Sequence, residues 1–195
     1  MSAMKKSELQ RLVDAGRRMY QRDLVTGALG SIGARLPSGG VVVTGQGSRL
    51  GFLKDFDVVA LDGQGLARQE TTGVPDGDAG LITAVMSAQP AAGAVIRVQP
   101  PYVTALAHRG RRKIEESRGL LQDLGGVAFV PYYRKGTAGL AGAVAGALRE
   151  NHIAIIERQG PIVRGSDIED AVDRAEALEA AAKVIFLLSD DNGVL

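Results

Sequence analysis

The sequence predicts a three-layer α/β/α fold around a central mixed or antiparallel sheet, on three observations. The chain has 195 residues of which 45% are hydrophobic, enough for one domain with a sizeable core. Short apolar runs typical of buried strands alternate with longer stretches of helical periodicity. No internal repeat or linker divides the chain. We therefore expect residues 1–195 to form a single domain.

Helices are predicted wherever apolar residues recur every three or four positions. In the first helix Leu9, Leu12 and Met19 share one face, and in the last Ile168, Val172 and Leu178 do so. Ser166 and Glu169 form a capping box that starts this last helix at Ser166. The predicted helices are the opening segment around residues 9–20, then Leu81–Ala88, 103–124, Gly136–Arg149 and the segment from Ser166 onward.

Strands are predicted at short runs of β-branched and apolar residues that end at turn signals. Glycine-rich segments are interpreted as loops, one at 26–33 and another at 64–80, and Asp62-Gly63 favours a tight turn. The predicted strands are Val41–Thr44, Asp57–Leu61, Ala94–Val98, Val127–Val130 and Ile153–Ile156.

The composition excludes several classes of function. Lys and Arg number 23 against 22 Asp and Glu, so bulk charge does not favour nucleic-acid binding. The basic run 108–113 is short, and we interpret it as a solvated helix face or subunit contact. No apolar run approaches the roughly 18 residues of a membrane span. The absence of cysteine excludes disulfides and thiolate metal sites, and with a polar N-terminus favours a cytoplasmic protein.

Five segments, in order along nearly the whole chain, resemble the class II aldolase and adducin family. Their collinearity is more specific than any single motif. The resemblance implies the α/β/α fold of class II aldolases and active sites that lie between subunits. We therefore expect a homo-oligomer, most simply a tetramer. The segments are 24–36, 44–48, 88–106, 130–137 and 154–163, and the closing helix from Ala171 to Lys183 also fits.

The resemblance also implies a divalent metal, yet the ligand positions hold other residues. The family pattern places His-x-His on one strand and a third histidine before a glycine. Here these positions are occupied by Arg97, Gln99 and Gln159, and the chain contains only two histidines, both elsewhere. A catalytic zinc normally takes three protein ligands, so we expect no metal and no other cofactor.

Arg97 permits two interpretations. Its guanidinium cannot lose its proton, so it either holds an anionic group in place of the metal or pairs with a nearby acid in a closed pocket. Gln99 and Gln159 are expected to face each other. They either bind a ligand or satisfy each other and the backbone.

The resemblance implies a glutamate as acid/base, and two alignments of the preceding loop differ about its position. Counting back from Pro90 places Asp78 there, with Asp76 where the family binds phosphate. Counting forward from Asp62 favours Thr71-Thr72-Gly73. Ser31 occupies the position of an asparagine in the early loop, and Gly45 lies in the second loop. Asp78 and Arg97 are thus the candidate catalytic residues, and Ser31, Gly45, Gln99 and Gln159 the candidate ligand contacts.

These observations leave three hypotheses for function. The first is a divergent family member without the metal site, which is not a working class II aldolase and serves as a binding or assembly subunit. The second is a metal-independent lyase, decarboxylase or isomerase of a small hydroxy or keto acid, with Arg97 in place of the metal. The third is a metal-dependent sugar-phosphate aldolase whose ligands the alignment misplaces. A small anionic ligand fits the first two.

Overall fold

A computed structural model of the protein describes residues 6–36, 40–62, 65–68, 73–109 and 118–190, and its centre is a seven-stranded mixed sheet. All neighbouring strands are antiparallel except β5 and β6, which are parallel, so the predicted mixed sheet is confirmed. The spatial order is β3-β2-β1-β4-β7-β6-β5. The strands are β1 (Ser31–Arg35), β2 (Val41–Thr44), β3 (Val58–Leu61), β4 (Ala94–Arg97), β5 (Val127–Val130), β6 (Ile153–Ile156) and β7 (Gly160–Gly165).

Two of these strands were not predicted. Residues 31–33, expected in a loop, belong to β1, whose small residues carry little β-branched signal. Position 33 has room only for glycine because helix α2 (Ala79–Ala88) packs closely on the strand: a Cβ on Gly33 would lie 2.2 Å from Ile82 Cγ2. β7 contains a proline and two glycines and follows β6 after a short turn, in which Arg158 has a φ of 59°.

The helices lie in two layers, one on each face of the sheet. α1, α3 and α6 share one core with the sheet, and α2 and α5 share the other, which confirms the three-layer architecture. No helix in the described residues is long and apolar enough to cross a membrane. The helices are α1 (Lys6–Gln21), α2 (Ala79–Ala88), α3 (Pro101–Arg109), α4 (Arg118–Leu121), α5 (Ala138–Ala147) and α6 (Ile168–Asp190).

Several predicted boundaries shift. α6 begins after Asp167, which caps it in place of Ser166: Asp167 Oδ1 accepts from the Asp170 amide at 2.9 Å. The predicted helix 103–124 is represented by α3, α4 and a 3-10 turn at Gln122–Leu124. Residues 110–117, with most of the basic run, lie outside the described part of the chain, as does Gly63 of the predicted turn.

Successive side chains of β4 point to opposite faces of the sheet, and so to the two helix layers in turn. Ile96 packs in the core of α1, α3 and α6, whereas Val95 packs in the core of α2 and α5. Arg97 follows at the same parity as Val95 and therefore points to the α2 and α5 layer. The sheet thus presents a charged side chain to the ends of two helices where their first turns lie side by side.

Candidate functional site

Arg97 lies at the end of β4 and is the centre of the site. Only 5% of its side chain is exposed, and its two terminal nitrogens both have partners. Nη1 donates to Asp78 Oδ1 at 2.8 Å, and Nη2 donates to Gln159 Oε1 at 3.1 Å. A buried arginine needs such an acceptor because an uncompensated charge in the interior is very costly. Of the two interpretations of Arg97, the structure thus contains the pair with a protein carboxylate.

Asp78 immediately precedes α2 and is almost fully buried, with 2% of its side chain exposed. It occupies the position of a helix cap, but its carboxylate makes no capping bond and turns to Arg97 instead. Its second oxygen, Oδ2, lies 3.4 Å from Lys135 Nζ. The carboxylate therefore lies between two cations, one buried and one exposed.

The loop before α2 holds Asp78 in this position. The Asp78 amide donates to Asp76 Oδ1 at 2.9 Å, and the Asp76 amide donates to the Thr44 carbonyl at 3.0 Å. Burial raises the pKa of the Asp76 carboxyl above its usual value, and the neighbouring charge of Asp78 raises it further. Of the two alignments of this loop, the first brings its acid to Arg97. Thr71 and Thr72 of the second lie outside the described residues.

The two glutamines meet as expected, through the backbone. Gln99 Nε2 donates to the Gln159 carbonyl at 3.5 Å, and Gln159 Nε2 donates to the Tyr133 carbonyl. Gln159 Oε1 already accepts from Arg97. The Gln159 side chain is thus bound at both ends to protein groups.

Ser31 and Gly45 lie near the site without joining this network. Ser31 pairs with Arg97 across β1 and β4, is fully buried, and its Oγ has no hydrogen-bond partner among the described residues. The Gly45 amide donates to the Asp57 carbonyl at 2.7 Å and is therefore already occupied by a loop hydrogen bond. The geometry therefore brings together Asp78, Arg97, Gln99 and Gln159 of the six predicted residues.

Lys135 is the member of the cluster that sequence reasoning missed. It lies in the turn before α5, and 56% of its side chain is exposed. Its segment belongs to the resemblance, but no periodicity or spacing connects it with Asp78, which lies 57 positions earlier. The contact between Asp78 and Lys135 could be predicted only by knowing that α2 and α5 are neighbours.

A cleft of about 230 Å³ lies between the first turns of α2 and α5, with Asp78 in its wall. The first amides of a helix have no acceptor inside the helix, so both first turns favour anions in this cleft. Thr137 caps α5 and accepts from the Leu140 amide at 3.2 Å. The cleft is lined by Gly77, Asp78, Gly80, Leu81, Gly136, Thr137, Ala138, Leu140 and Ala141.

The residues present do not fit a divalent metal. Arg97 carries a positive charge and no acceptor at one predicted ligand position, and at another Gln159 Oε1 accepts from that guanidinium. In the described ranges, no three His, Cys, Asp or Glu side chains are grouped so as to hold a metal ion.

Comparison with known proteins agrees with the fold and with this arrangement of elements. The family described as Class II Aldolase and Adducin N-terminal domain matches residues 10–186. The chain is 30% identical over 178 residues to 3-oxo-tetronate 4-phosphate decarboxylase of Escherichia coli K12, covering 88% of this chain and 82% of that protein.

Solved structures show the same similarity. YgbL from Klebsiella pneumoniae superposes with a TM-score of 0.81 at 26% identity, over 96% of this chain and 92% of that one. An L-fuculose 1-phosphate aldolase superposes with a TM-score of 0.84 at 20% identity, over 97% and 89%. The likeness extends over nearly the whole chain on both sides.

Proposed function

Because the chain belongs to the class II aldolase and adducin family, we propose that it is a metal-independent member that binds a small oxo or hydroxy acid beside Asp78. It does not perform the metal-dependent aldol cleavage. The observation that carries the proposal is the buried ion pair between Arg97, at a predicted metal-ligand position, and Asp78, at the predicted acid/base position, 2.8 Å between nitrogen and oxygen.

The electrostatics of this pair support a site without a metal. A guanidinium keeps its charge throughout the accessible pH range, so a divalent cation placed beside it would meet repulsion. The acid that could offset that repulsion, Asp78, is already paired with Arg97 and Lys135. Gln159 is likewise occupied, since its side-chain oxygen accepts from Arg97.

The cleft supports a small anionic ligand. Its volume of about 230 Å³ lies below the range of about 300–1,000 Å³ that is usual for drug-sized ligands. The first turns of two helices line it, and the Lys135 ammonium lies 3.4 Å from Asp78, which is part of its wall. A carboxylic acid of three or four carbons, with an oxo or hydroxyl group, matches this size and charge.

The proposal is tested by metal analysis, binding and activity on one preparation. We expect purified protein to contain far less than one transition metal per chain, and to be stabilised on heating by pyruvate, glycerate or acetoacetate. Fuculose 1-phosphate should not be cleaved, with or without added Zn²⁺. Zn²⁺-dependent cleavage would overturn the proposal and restore the hypothesis of a metal-dependent aldolase.

A second candidate function is metal-independent decarboxylation of a 3-oxo acid. The observation that favours it is the exposed Lys135 ammonium 3.4 Å from Asp78, in a chain 30% identical to a decarboxylase of a 3-oxo acid. The carbon–carbon bond between C2 and the carboxylate breaks, and CO₂ leaves. The electron pair of that bond forms an enolate with the 3-oxo group, which a nearby cation stabilises before C2 is protonated. CO₂ release from acetoacetate above the uncatalysed rate is the measurement that distinguishes catalysis from binding.

Assembly forms part of the proposal. We expect a homo-oligomer, most simply a tetramer, because the family's active sites lie between subunits and closed symmetric assemblies are common. Light scattering at micromolar concentration measures this directly, and a monomer would contradict it.

A further inference from the structure

We infer that Lys135 binds the ligand, through its carboxylate and the adjacent oxo or hydroxyl oxygen, and that Arg97 does not contact it. This rests on the proposed function. The inference makes Lys135 the cation that an incoming acid meets, and leaves Arg97 as the group that positions Asp78.

Exposure separates the two cations. The Arg97 side chain is 5% exposed and 2.8 Å from its carboxylate partner, whereas the Lys135 side chain is 56% exposed. Arg97 offers an anion from solvent little accessible surface, and two of its N–H groups are already bonded to Asp78 and Gln159. The same anion can reach Lys135 from solvent without breaking any contact of the buried pair.

The Lys135 ammonium retains capacity for a ligand. Its distance to Asp78 Oδ2, 3.4 Å, exceeds the roughly 2.7–2.9 Å of a close charge-assisted hydrogen bond. An ammonium has three N–H donors. One donor can remain with Asp78 while the others contact a carboxylate oxygen and the neighbouring oxo or hydroxyl oxygen of the same acid.

Hydrogen bonds hold the backbone of the turn that carries Lys135 on both sides of that residue. The Tyr133 carbonyl accepts from Gln159 Nε2, and the Thr137 hydroxyl donates to the Arg134 carbonyl at 2.8 Å. Gly136, which follows Lys135, has a φ of +78° that favours glycine. Thr137 and Gly136 both line the cleft, so the residue before them stands at its edge.

The acids around Lys135 favour a carboxylate over a phosphate. Asp78 lies 3.4 Å from the ammonium, and Asp76 accepts from the Asp78 amide at 2.9 Å. Both repel an anion in proportion to its charge, so a singly charged carboxylate is opposed less than a doubly charged phosphate. Calorimetric titration with inorganic phosphate beside the carboxylates distinguishes the two.

The experiment compares three variants by calorimetric titration with pyruvate, glycerate and acetoacetate. Lys135→Met should weaken binding about ten- to hundredfold, as expected for loss of a hydrogen bond to a charged group. Lys135→Arg keeps the charge and should weaken binding less. Arg134→Met removes the same charge from the adjacent residue and should leave the dissociation constant unchanged. Melting temperatures confirm that the variants are folded.

Each outcome decides one statement. If wild-type protein binds none of the three acids, the proposed function fails and this inference fails with it. Binding by wild type that Lys135→Met leaves unchanged would overturn the inference alone. An equal loss in Arg134→Met would also overturn it, because the effect would then reflect general charge and not contact. Tighter binding of phosphate than of the carboxylates would refute the ligand class.

Discussion

Two buried arginines lie on the same face of the sheet, near opposite ends of α5, and they take different partners. Arg97 is near the first turn of α5 and pairs with the Asp78 carboxylate at 2.8 Å. Arg164, on the neighbouring strand β7, is near the last turn of α5 and donates to two backbone carbonyls, Leu148 at 2.7 Å and Asn151 at 2.8 Å.

The polarity of the helix explains the difference. The last carbonyls of a helix have no partner inside it and accept readily from a cation, which the helix dipole also favours. At the other end only N–H groups are left over, so an arginine there cannot be satisfied by the helix and needs an acid. Asp78 supplies the acid, and its own place at the start of α2 suits a negative charge.

The different partners of Arg97 and Arg164 indicate which arginine belongs to a functional site. Among the described residues, Arg164 donates to two uncharged backbone carbonyls. Burial lowers its pKa below the usual value, and the nearby charge of Arg174 lowers it further. It therefore has the properties of a structural residue. Arg97 instead requires a charged partner that faces a cleft and a second, exposed cation.

The largest effect is expected from Arg97→Met, which removes one charge of the buried pair. Asp78 would remain buried beside Lys135 alone, so we expect a loss of about 3–5 kcal/mol in the free energy of unfolding. Urea denaturation measures it. The double variant Arg97→Met, Asp78→Asn, which leaves neither charge, should be more stable than Arg97→Met. A double variant that is less stable would show that the pair is not coupled.

A smaller loss of stability is expected from Arg164→Met. This variant removes hydrogen bonds to carbonyls but leaves no buried charge without a partner. We expect about 2–3 kcal/mol in the same denaturation experiment, since bonds from a charged donor are worth roughly 1.5–3 kcal/mol each and water can reach part of this end. An equal loss of stability in Arg164→Met and Arg97→Met would contradict this explanation. The need for a charged partner would then not distinguish the arginines at the two ends of α5.

The smallest effect on stability is expected from Asp76→Asn, which changes the acid next to Asp78. The folded-state pKa of Asp76 is raised above its unfolded value, so its contribution to stability is fully present below the unfolded pKa and is lost as pH rises through the folded pKa. Asparagine keeps an acceptor for the Asp78 amide without the charge.

The variant should therefore melt above wild type at pH 7, and this advantage should shrink as pH falls toward about 4, the ordinary aspartate range. Melting curves from pH 4 to 8 test the sign. An advantage that grows toward low pH would contradict the assignment of burial as the main cause.

Sequence reasoning recovered most of the fold where local patterns were strong. The apolar runs at β4 and β6 and the periodic face of α6 were assigned correctly. β1 and β7 were missed as strands because serine, glycine and proline carry loop signals. They form strands only because α2 and the neighbouring strands pack close to their small residues.

The site divides in the same way. Alternation along one strand predicted Arg97 and Gln99 on one side, and one of the two alignments, counted back from Pro90, proposed the acid that pairs with Arg97. Lys135 could not be predicted from the sequence because its contact with Asp78 depends on the packing of α2 against α5. The hydrogen bond from the Gly45 amide to the Asp57 carbonyl was likewise not predictable, because no motif records it.

Residue identity and short-range pattern were enough for the family resemblance, for the order of most elements, and for the prediction that Arg97, Gln99 and Gln159 occupy the family's metal-ligand positions. These follow from residue identity and short-range periodicity, which every stretch of chain carries locally. Only the tertiary structure decided which acid neutralises Arg97, which cation remains exposed, and which helix end each arginine meets. Those outcomes depend on distances between segments far apart in the chain, and burial, which sets the cost of an unpaired charge, exists only once the layers have packed.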